Sequence, residues 1–353
     1  MTQVTDRQPT APLEHRGRRH ILLRIFIVGA AVLFVIANRS ELPAAWRSLR
    51  RADFVWLLAA LGVCLLLVIN YAAMRHRAQQ ILGVHRPFLR SLRLSLGGHL
   101  LNMVTKSGGM AGVAPFNADA RARGVSAHRS TAGYILAELT THLGFTVALI
   151  AAVPVISYDD KLSAVDLVAM GVFALMTVAF VAGVVAAARS QESIRRLQEL
   201  PNRVRNMALR RMKRPLHPDI TDHHAADDLH EAVTLARSEP RAMVPLGLLA
   251  LVFQLNGAAL LWVVLGSMGL PHELNVVLVT YVIATLFSIV GFLPAGIGFV
   301  EVSMAATLVS YGISTGQAAA VVGVYRLFQL WLPLAFGAFA LRKVRTANRP
   351  QRD

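Results

Sequence analysis

The chain has 353 residues, of which 55% are hydrophobic and only 16% are charged. A soluble protein of this length needs far more polar surface around its core, so the composition excludes a soluble globular protein and indicates one that crosses a membrane several times. The formal net charge of +16 does not indicate a nucleic-acid partner here, because the basic residues lie between apolar segments and at the termini, where they set topology and contact anionic lipid headgroups.

Apolar segments long enough to cross a membrane recur along the chain. A helical crossing of a hydrocarbon core of about 30 Å takes about 20 residues. The first such segment follows a polar, basic stretch at 1–20, and we interpret it as a retained span because no small-residue cleavage site follows it. Six full spans are predicted, at residues 21–37, 54–74, 130–153, 166–188, 242–268 and 316–341.

Two further apolar regions are interrupted by glycine-rich breaks. The first broken region, 88–122, contains a break from Lys106 to Gly112, and the second, 275–311, contains a break from Pro294 to Gly298. Unpaired backbone groups in lipid cost several kcal/mol each, so a helix is broken at membrane depth only where protein or water covers the break. Each region therefore forms two spans or a hairpin that enters and leaves on one side, and the breaks indicate a functional site; close packing of small residues is the alternative.

Positive charges between the spans predict which segments lie in the cytoplasm. The loop 189–241, the linker that begins at Arg75 and the tail after residue 341 are all rich in arginine. Such segments stay on the cytoplasmic side, so these three and both termini, 1–20 and 346–353, are predicted there. With six full spans, the loops reach their predicted sides of the membrane only if each broken region is a hairpin. The first hairpin then enters from the cytoplasm and the second from outside.

Two stretches 188 positions apart read alike and indicate a duplication. Gly124-Val125-Ser126 is followed fourteen residues later by Glu138, and Gly312-Ile313-Ser314 is followed at the same distance by Arg326; the two motifs lie shortly after the two breaks. The pattern predicts two repeat units, 54–153 and 242–341, each built as span, re-entrant hairpin and span. The predicted sidedness gives them opposite orientations, as in transporters with inverted repeats.

The buried charges and the breaks together form the candidate site. Ionisable groups at membrane depth face a cavity or a partner. Glu138 and Arg326 occupy equivalent positions with opposite charge, so we expect them to approach each other, either as a structural salt bridge or with Arg326 binding a lipid phosphate while Glu301 or Glu138 competes for it or binds a cationic headgroup. The predicted cavity is lined by Gly108, Gly109, Gly112, Glu138, Pro294, Gly296, Gly298, Glu301 and Arg326.

No cofactor, metal site or enzymatic activity is predicted. Cys64 is the single cysteine, which excludes an intrachain disulfide and a cysteine-based metal site. A tract rich in His and Asp at 217–230 has metal-ligating residue types, but the sequence indicates no fixed geometry for them. The sequence contains no Walker-type nucleotide loop, dinucleotide fingerprint or serine nucleophile elbow, so transport powered by ATP within this chain is not expected.

Two motifs of the second half carry a resemblance: Pro294-x-Gly296-x-Gly298-x-x-Glu301, and Gly312-Ile313-Ser314 followed by Arg326. On these residues the chain resembles the lysylphosphatidylglycerol synthase transmembrane region, also called the flippase-like domain family, over residues 21–345. In the first half Gly112 fits, whereas Val113 and Phe116 stand where members often have Glu and Arg. The resemblance implies translocation of aminoacylated phosphatidylglycerol, other phospholipids or lipid-linked glycans; aminoacyl transfer belongs to a separate soluble domain of bifunctional members.

The sequence thus predicts an all-α polytopic protein of the cytoplasmic membrane, with six full spans and two re-entrant hairpins in an inverted repeat. Its predicted function is to bind and move anionic or aminoacylated phospholipids or lipid-linked precursors. Three alternatives remain open at this stage. They are a non-transporting scaffold or lipid-binding partner of an envelope-synthesis enzyme, an intramembrane lipid-modifying enzyme and a secondary carrier of small solutes.

Overall fold

The structure, a computed structural model, describes residues 52–104, 110–157, 170–179, 240–290 and 296–347, with isolated residues at 50, 168, 182, 234 and 238. Across these ranges the chain is helical and contains no strand. The predicted span 21–37 and nearly all of the loop 189–241 lie outside the described residues, and the predicted span 166–188 is described only in part.

Four described helices are long and apolar enough to cross a membrane: Phe54–Ile81, Ala127–Ala152, Pro240–Ser267 and Thr315–Ala340. They coincide with four of the predicted spans, which are thereby confirmed as helices of membrane length. Their outward surfaces remain largely apolar, and side chains such as Leu66, Ile150 and Leu255 are more than half exposed. Large apolar side chains at the periphery are expected where lipid rather than water surrounds the protein.

The elements are numbered in chain order. The first half contains α1 (Phe54–Ile81), α2 (Phe88–Val104), a 3₁₀ turn (Met110–Gly112), α3 (Val113–Ala122), α4 (Ala127–Ser157) and the short α5 (Met170–Ala179). The second half contains α6 (Pro240–Ser267), α7 (Leu274–Val290), α8 (Phe299–Ser310), α9 (Thr315–Arg326), a π-helical turn (Leu327–Trp331) and α10 (Leu332–Ala347). Helices α2 and α3 flank the first glycine break, and α7 and α8 flank the second.

Four glycines with positive φ end helices at matched places in the two halves. Gly83 and Gly269 follow α1 and α6, with φ of 72° and 63°, and Gly124 and Gly312 follow α3 and α8, with φ of 69° and 84°. In every turn the amide of the next residue donates to the carbonyl five positions earlier, at 2.8 to 3.2 Å. This is the Schellman arrangement, which satisfies the last carbonyls of a helix. The Gly83 and Gly269 pair extends the sequence repeat to the ends of α1 and α6.

We expect Gly312→Ala to lower the free energy of unfolding by about 1 to 2 kcal/mol, because an L-residue is strained in the left-handed region. A Cβ at Gly312 would meet no atom within 4 Å, so backbone strain alone is tested. Gly323→Ala in α9 is the control, since its Cβ is equally unobstructed and its backbone is helical; it should be neutral or slightly stabilising. Equal thermal unfolding midpoints of the two variants in detergent micelles would contradict this expectation.

Helices α1 and α6, the first helices of the two predicted units, run antiparallel along each other. At one end the backbone N–H of Asp53 donates to the carbonyl of Ser267 at 2.8 Å. The Trp56 and Trp262 rings pack edge to face there, with centroids 5.3 Å apart. At the other end the last residues of α1 and the first residues of α6 share one buried apolar cluster. Two helices at equivalent positions in the chain therefore point in opposite directions.

The remaining helix contacts also occur in matched pairs. Helix α2 packs on α10, and its counterpart α7 packs on α4. Likewise α4 packs on α6, and the π turn packs on α1. Two glycines allow the closest of these approaches: a Cβ at Gly337 would lie 2.6 Å from the Leu96 carbonyl oxygen, and one at Gly144 would lie 3.0 Å from the Ala250 Cβ. Small residues at such crossings let membrane helices pack backbone to backbone.

Candidate functional site

Arg326 and Glu301 form an ion pair beside the second glycine break. Arg326 is the last residue of α9 and is 4% exposed, and its Nε donates to Glu301 Oε1 at 2.6 Å. Glu301 lies in the first turn of α8, where its Oε2 accepts from the Gly298 backbone N–H at 2.6 Å. One carboxylate therefore caps the helix that begins after the break and also neutralises a buried guanidinium.

Two glycines of the second break are required by their backbone conformation, and one of them, Gly296, also by lack of space. Gly296 and Gly298 have φ of 63° and 88°. A Cβ at Gly296 would lie 2.9 Å from the Ser288 Cα and 2.8 Å from a Val300 methyl carbon. The chain therefore returns from the break directly against α7, and the motif that contains these glycines sets the position of Glu301. Pro294 lies outside the described residues.

A π-helical turn follows Arg326 directly. It covers Leu327–Trp331, and Arg326 Nη1 donates to the side-chain oxygen of Gln329 within it at 3.1 Å. The Cys64 thiol of α1 donates to the carbonyl of Phe328 at 3.1 Å. Single π turns inside α-helices occur frequently at functional sites. The sequence offered no signal for this turn, because it arises from how the span fits around the ion pair and α1.

A second ion pair joins α1 and α4 in the first half. Arg75 Nη2 donates to Glu138 Oε1, the Arg75 side chain is 1% exposed and the Glu138 side chain is 36% exposed. The Arg75 guanidinium lies over the Tyr71 ring, 3.5 Å from its centroid, and 5.1 Å from the centroid of the Tyr134 ring. A buried cation is thus stabilised by one carboxylate and two aromatic faces. The Glu138 carboxylate is therefore the solvent-accessible partner of this pair.

A chain of hydrogen bonds connects this ion pair to the first glycine break. The Gly112 backbone N–H donates to Asn102 Oδ1 at 2.5 Å, and Asn102 Nδ2 donates to the Tyr134 hydroxyl at 2.8 Å. The Tyr134 ring faces Arg75. A Cβ at Gly112 would lie 2.2 Å from the Tyr134 hydroxyl oxygen, so any larger residue there would displace the Tyr134 and Asn102 side chains. In both halves a backbone amide at the end of the break is bound by a polar side chain; Glu301 belongs to its ion pair, whereas Asn102 reaches the other pair through Tyr134.

The predicted approach of Glu138 to Arg326 is replaced by two separate pairs. Glu138 pairs with Arg75, and Arg326 pairs with Glu301, so each charge has a partner in its own half. The repeat explains why the partners come from different helices. When the two halves are aligned on their matched glycines, Val113 is equivalent to Glu301 and Leu261 is equivalent to Arg75. Neither Val113 nor Leu261 carries a charge, so neither can form an ion pair.

The placement of Arg75 in a cytoplasmic linker was wrong. Helix α1 continues to Ile81, and Arg75 is a buried residue within it. Hydropathy ends a span at its first arginine, whereas here the aromatic rings and Glu138 cover the charge. The spacing of Tyr71 and Arg75 by one helical turn is the signal that would have indicated the contact. The sequence also did not indicate the contacts that Tyr134, Asn102 and Gln329 make at the two ion pairs. Amide and phenol groups are common in apolar segments and most of them have no functional role.

Two histidines near the hairpins make ring contacts, and several predicted site residues lie outside the described residues. The His99 ring packs on Tyr71 with centroids 5.3 Å apart, and the His142 ring packs on Phe173 at 5.4 Å. In the part of the chain that the structure describes, no three His, Cys, Asp or Glu side chains come together as a group able to hold a metal ion. The site residues Gly108 and Gly109 and the His/Asp tract 217–230 are not among the described residues.

Comparisons with known proteins identify a family of membrane proteins. A family model described as the lysylphosphatidylglycerol synthase TM region matches residues 21–337. A UPF0104 membrane protein of Methanothermobacter thermautotrophicus (strain Delta H) is 31% identical over 91 residues, which are 26% of this chain and 27% of that protein, so the chain matches only about a quarter of the relative's length. Together with the membrane-length helices, the family match indicates a multi-pass membrane protein. Since the family model covers most of the sequence, the chain belongs to the lysylphosphatidylglycerol synthase TM region family.

Proposed function

We propose that this protein moves polar-headed lipids between the leaflets of the cytoplasmic membrane. One observation carries the proposal: in each half a backbone amide of the glycine break is bound by a polar side chain that connects it to a buried ion pair, directly through Glu301 or by way of Asn102 and Tyr134. Ion pairs and helix breaks at membrane depth are costly, and they recur where substrates or ions cross. Their presence at matched places in two halves favours a binding path between the halves over isolated structural contacts.

The arrangement of the helices supports an inverted repeat with two re-entrant hairpins. Equivalent helices α1 and α6 are antiparallel, which is the relation expected of units inserted with opposite orientation. Helices α2 and α7 have 17 residues each, α3 has 10 and α8 has 12. At 1.5 Å per residue the longest of them reaches about 26 Å within the described residues, less than the hydrocarbon core, which favours a hairpin over two crossings for each broken pair.

The two ion pairs suggest how a headgroup is accommodated. A lipid phosphate replaces the carboxylate as partner of Arg326 or Arg75, so the buried guanidinium remains neutralised throughout. The released Glu301 or Glu138 then accepts the ammonium group of an aminoacylated headgroup. Glu138 is already 36% exposed, which makes the first pair the more accessible of the two. The acyl chains stay in the surrounding lipid while the two halves rock against each other.

The proposal is tested in liposomes that contain fluorescent phosphatidylglycerol or lysyl-phosphatidylglycerol. Wild-type protein is expected to redistribute at least one of them between leaflets, and Glu301→Gln and Arg326→Gln are each expected to slow this by about tenfold or more. A hydrogen bond to a charged group contributes about 1.5 to 3 kcal/mol, and 1.4 kcal/mol corresponds to tenfold in rate. Glu273→Gln and Arg241→Gln are matched controls, because both residues are exposed and lie outside the site.

The result separates transport from the scaffold alternative. The Arg326 and Glu301 pair is also compatible with a rigid scaffold for an envelope-synthesis enzyme, since both charges are neutralised. A scaffold predicts that Glu301→Gln with Arg326→Gln leaves cellular function intact while the fold survives. If well-folded wild-type protein redistributes neither lipid and this double variant supports wild-type growth, lipid transport is overturned in favour of the scaffold.

A further inference from the structure

A third charged cluster lies outside the two ion pairs, where α1, α2 and α3 meet. Asp119 in α3 is 1% exposed and is contacted by three arginines. Arg90 Nε donates to its Oδ1, Arg86 Nη1 lies 3.4 Å from Oδ2, and Arg123 Nη1 lies 3.7 Å from Oδ2. Arg123 Nη2 also donates to the His85 carbonyl at 2.7 Å, which fixes the end of α3 against the connection between α1 and α2.

The cluster holds more positive charge than its carboxylate neutralises. Three guanidinium groups share one carboxylate, which leaves two positive charges without a carboxylate in the cluster as described. The Arg86 side chain is fully buried, and its Nε and Nη1 make no hydrogen bond with the described residues. Burial lowers the pKa of the Arg86 guanidinium to about 10, although Asp119 opposes that shift. Arg86 Nη2 donates to Gln79 Oε1 at 3.2 Å, so Arg86 is held in place and adds positive charge that Asp119 alone does not balance in this cluster.

The surroundings of the cluster are those of a lipid-facing surface. Arg90 and Arg123 reach outward, with 41% and 31% of their side chains exposed. The neighbouring Phe88 and Leu89 are 39% and 55% exposed, so apolar surface adjoins the guanidinium groups. A phosphodiester attached to acyl chains matches both the charged and the apolar part, whereas a free phosphate ion would use only the first.

We propose that Arg90 and Arg123, with the buried charge of Arg86 behind them, bind the phosphodiester of an anionic phospholipid at the membrane surface. Asp119 orients the three guanidinium groups, and the exposed forks of Arg90 and Arg123 donate to the phosphate oxygens. The charge pattern of the sequence predicts this surface to face the cytoplasm, where anionic lipids attract basic groups. The site is separate from both ion pairs and binds lipid whether or not the protein transports it.

The test counts lipids that remain bound to the full chain by native mass spectrometry, in detergent titrated with phosphatidylglycerol, phosphatidylcholine or inorganic phosphate. Wild-type protein is expected to retain phosphatidylglycerol in preference to phosphatidylcholine. Arg90→Gln with Arg123→Gln should weaken phosphatidylglycerol binding by about tenfold or more, since each change removes a charged donor. Both side chains are substantially exposed, so the fold should survive, and thermal unfolding verifies this.

Matched variants make the result specific. Arg93→Gln with Arg241→Gln removes the same charge from exposed positions outside the cluster and should change binding by less than about twofold. Phosphatidylglycerol binding should fall in the cluster variant whether or not wild-type protein redistributes lipid in liposomes, which separates this site from the proposed function. Undiminished phosphatidylglycerol binding by the cluster variant would overturn the proposal, as would inorganic phosphate displacing the lipid at equal concentration.

Discussion

Glu138→Gln is expected to lower the free energy of unfolding by about 3 kcal/mol, because it leaves Arg75 as a buried cation without its carboxylate. Removing one partner of a buried ion pair costs about 3 to 5 kcal/mol. We expect the lower end of that range, since the Glu138 side chain is 36% exposed and the Tyr71 ring continues to cover the guanidinium. The measurement is the thermal unfolding midpoint in detergent micelles, with Glu273→Gln on an exposed turn as the matched control.

A double variant distinguishes charge from packing at this pair. Arg75→Met combined with Glu138→Gln removes both charges and keeps apolar bulk against Tyr71. Replacing a buried ion pair by residues of similar volume is often neutral, so the double variant should unfold at a higher temperature than Glu138→Gln alone. A double variant less stable than the single one would show that Arg75 acts through contacts other than its carboxylate partner.

Gly112→Ala is expected to destabilise the protein by about 3 kcal/mol, because the position has no room for a methyl group. The added carbon would lie 2.2 Å from the Tyr134 hydroxyl oxygen and 2.7 Å from Asn102 Nδ2. Overpacking a tight site costs about 1 to 3 kcal/mol, and losing the amide hydrogen bond to Asn102 leaves a polar group unsatisfied at about 1 to 3 kcal/mol more. The change also displaces the Tyr134 ring, which packs near the Arg75 guanidinium, so lipid redistribution should fall together with stability.

Gly62→Ala is the control for this change. Gly62 lies within α1, and a Cβ there would meet no atom within 4 Å. Alanine favours a helix over glycine by about 1 kcal/mol, so this variant should be as stable as wild type or more stable. Thermal unfolding and size-exclusion profiles in detergent compare the two. Equal stability of Gly112→Ala and wild type would exclude the close contact between the break and Tyr134.

Much of the architecture was available from local sequence patterns. Four predicted spans coincide with membrane-length helices, and helices end on either side of both glycine breaks. The matched motifs at Gly124 and Gly312 are the same helix-ending turn, with positive φ and equivalent hydrogen bonds. These features depend on apolar runs of a fixed length and on glycine in left-handed turns, both of which are properties of a few neighbouring residues.

The sequence by itself also identified three of the four charges of the two ion pairs, Glu138, Glu301 and Arg326, but not Arg75. Only the tertiary structure decided their partners. Arg75 and Glu138 are 63 positions apart and meet because α1 packs on α4. The π turn and the path from Gly112 through Asn102 to Tyr134 likewise depend on how helices cross. Hydropathy and repeat spacing indicate which segments enter the membrane. Ion pairing depends on the rotation and depth of each helix relative to its neighbours, and a local sequence pattern does not determine either.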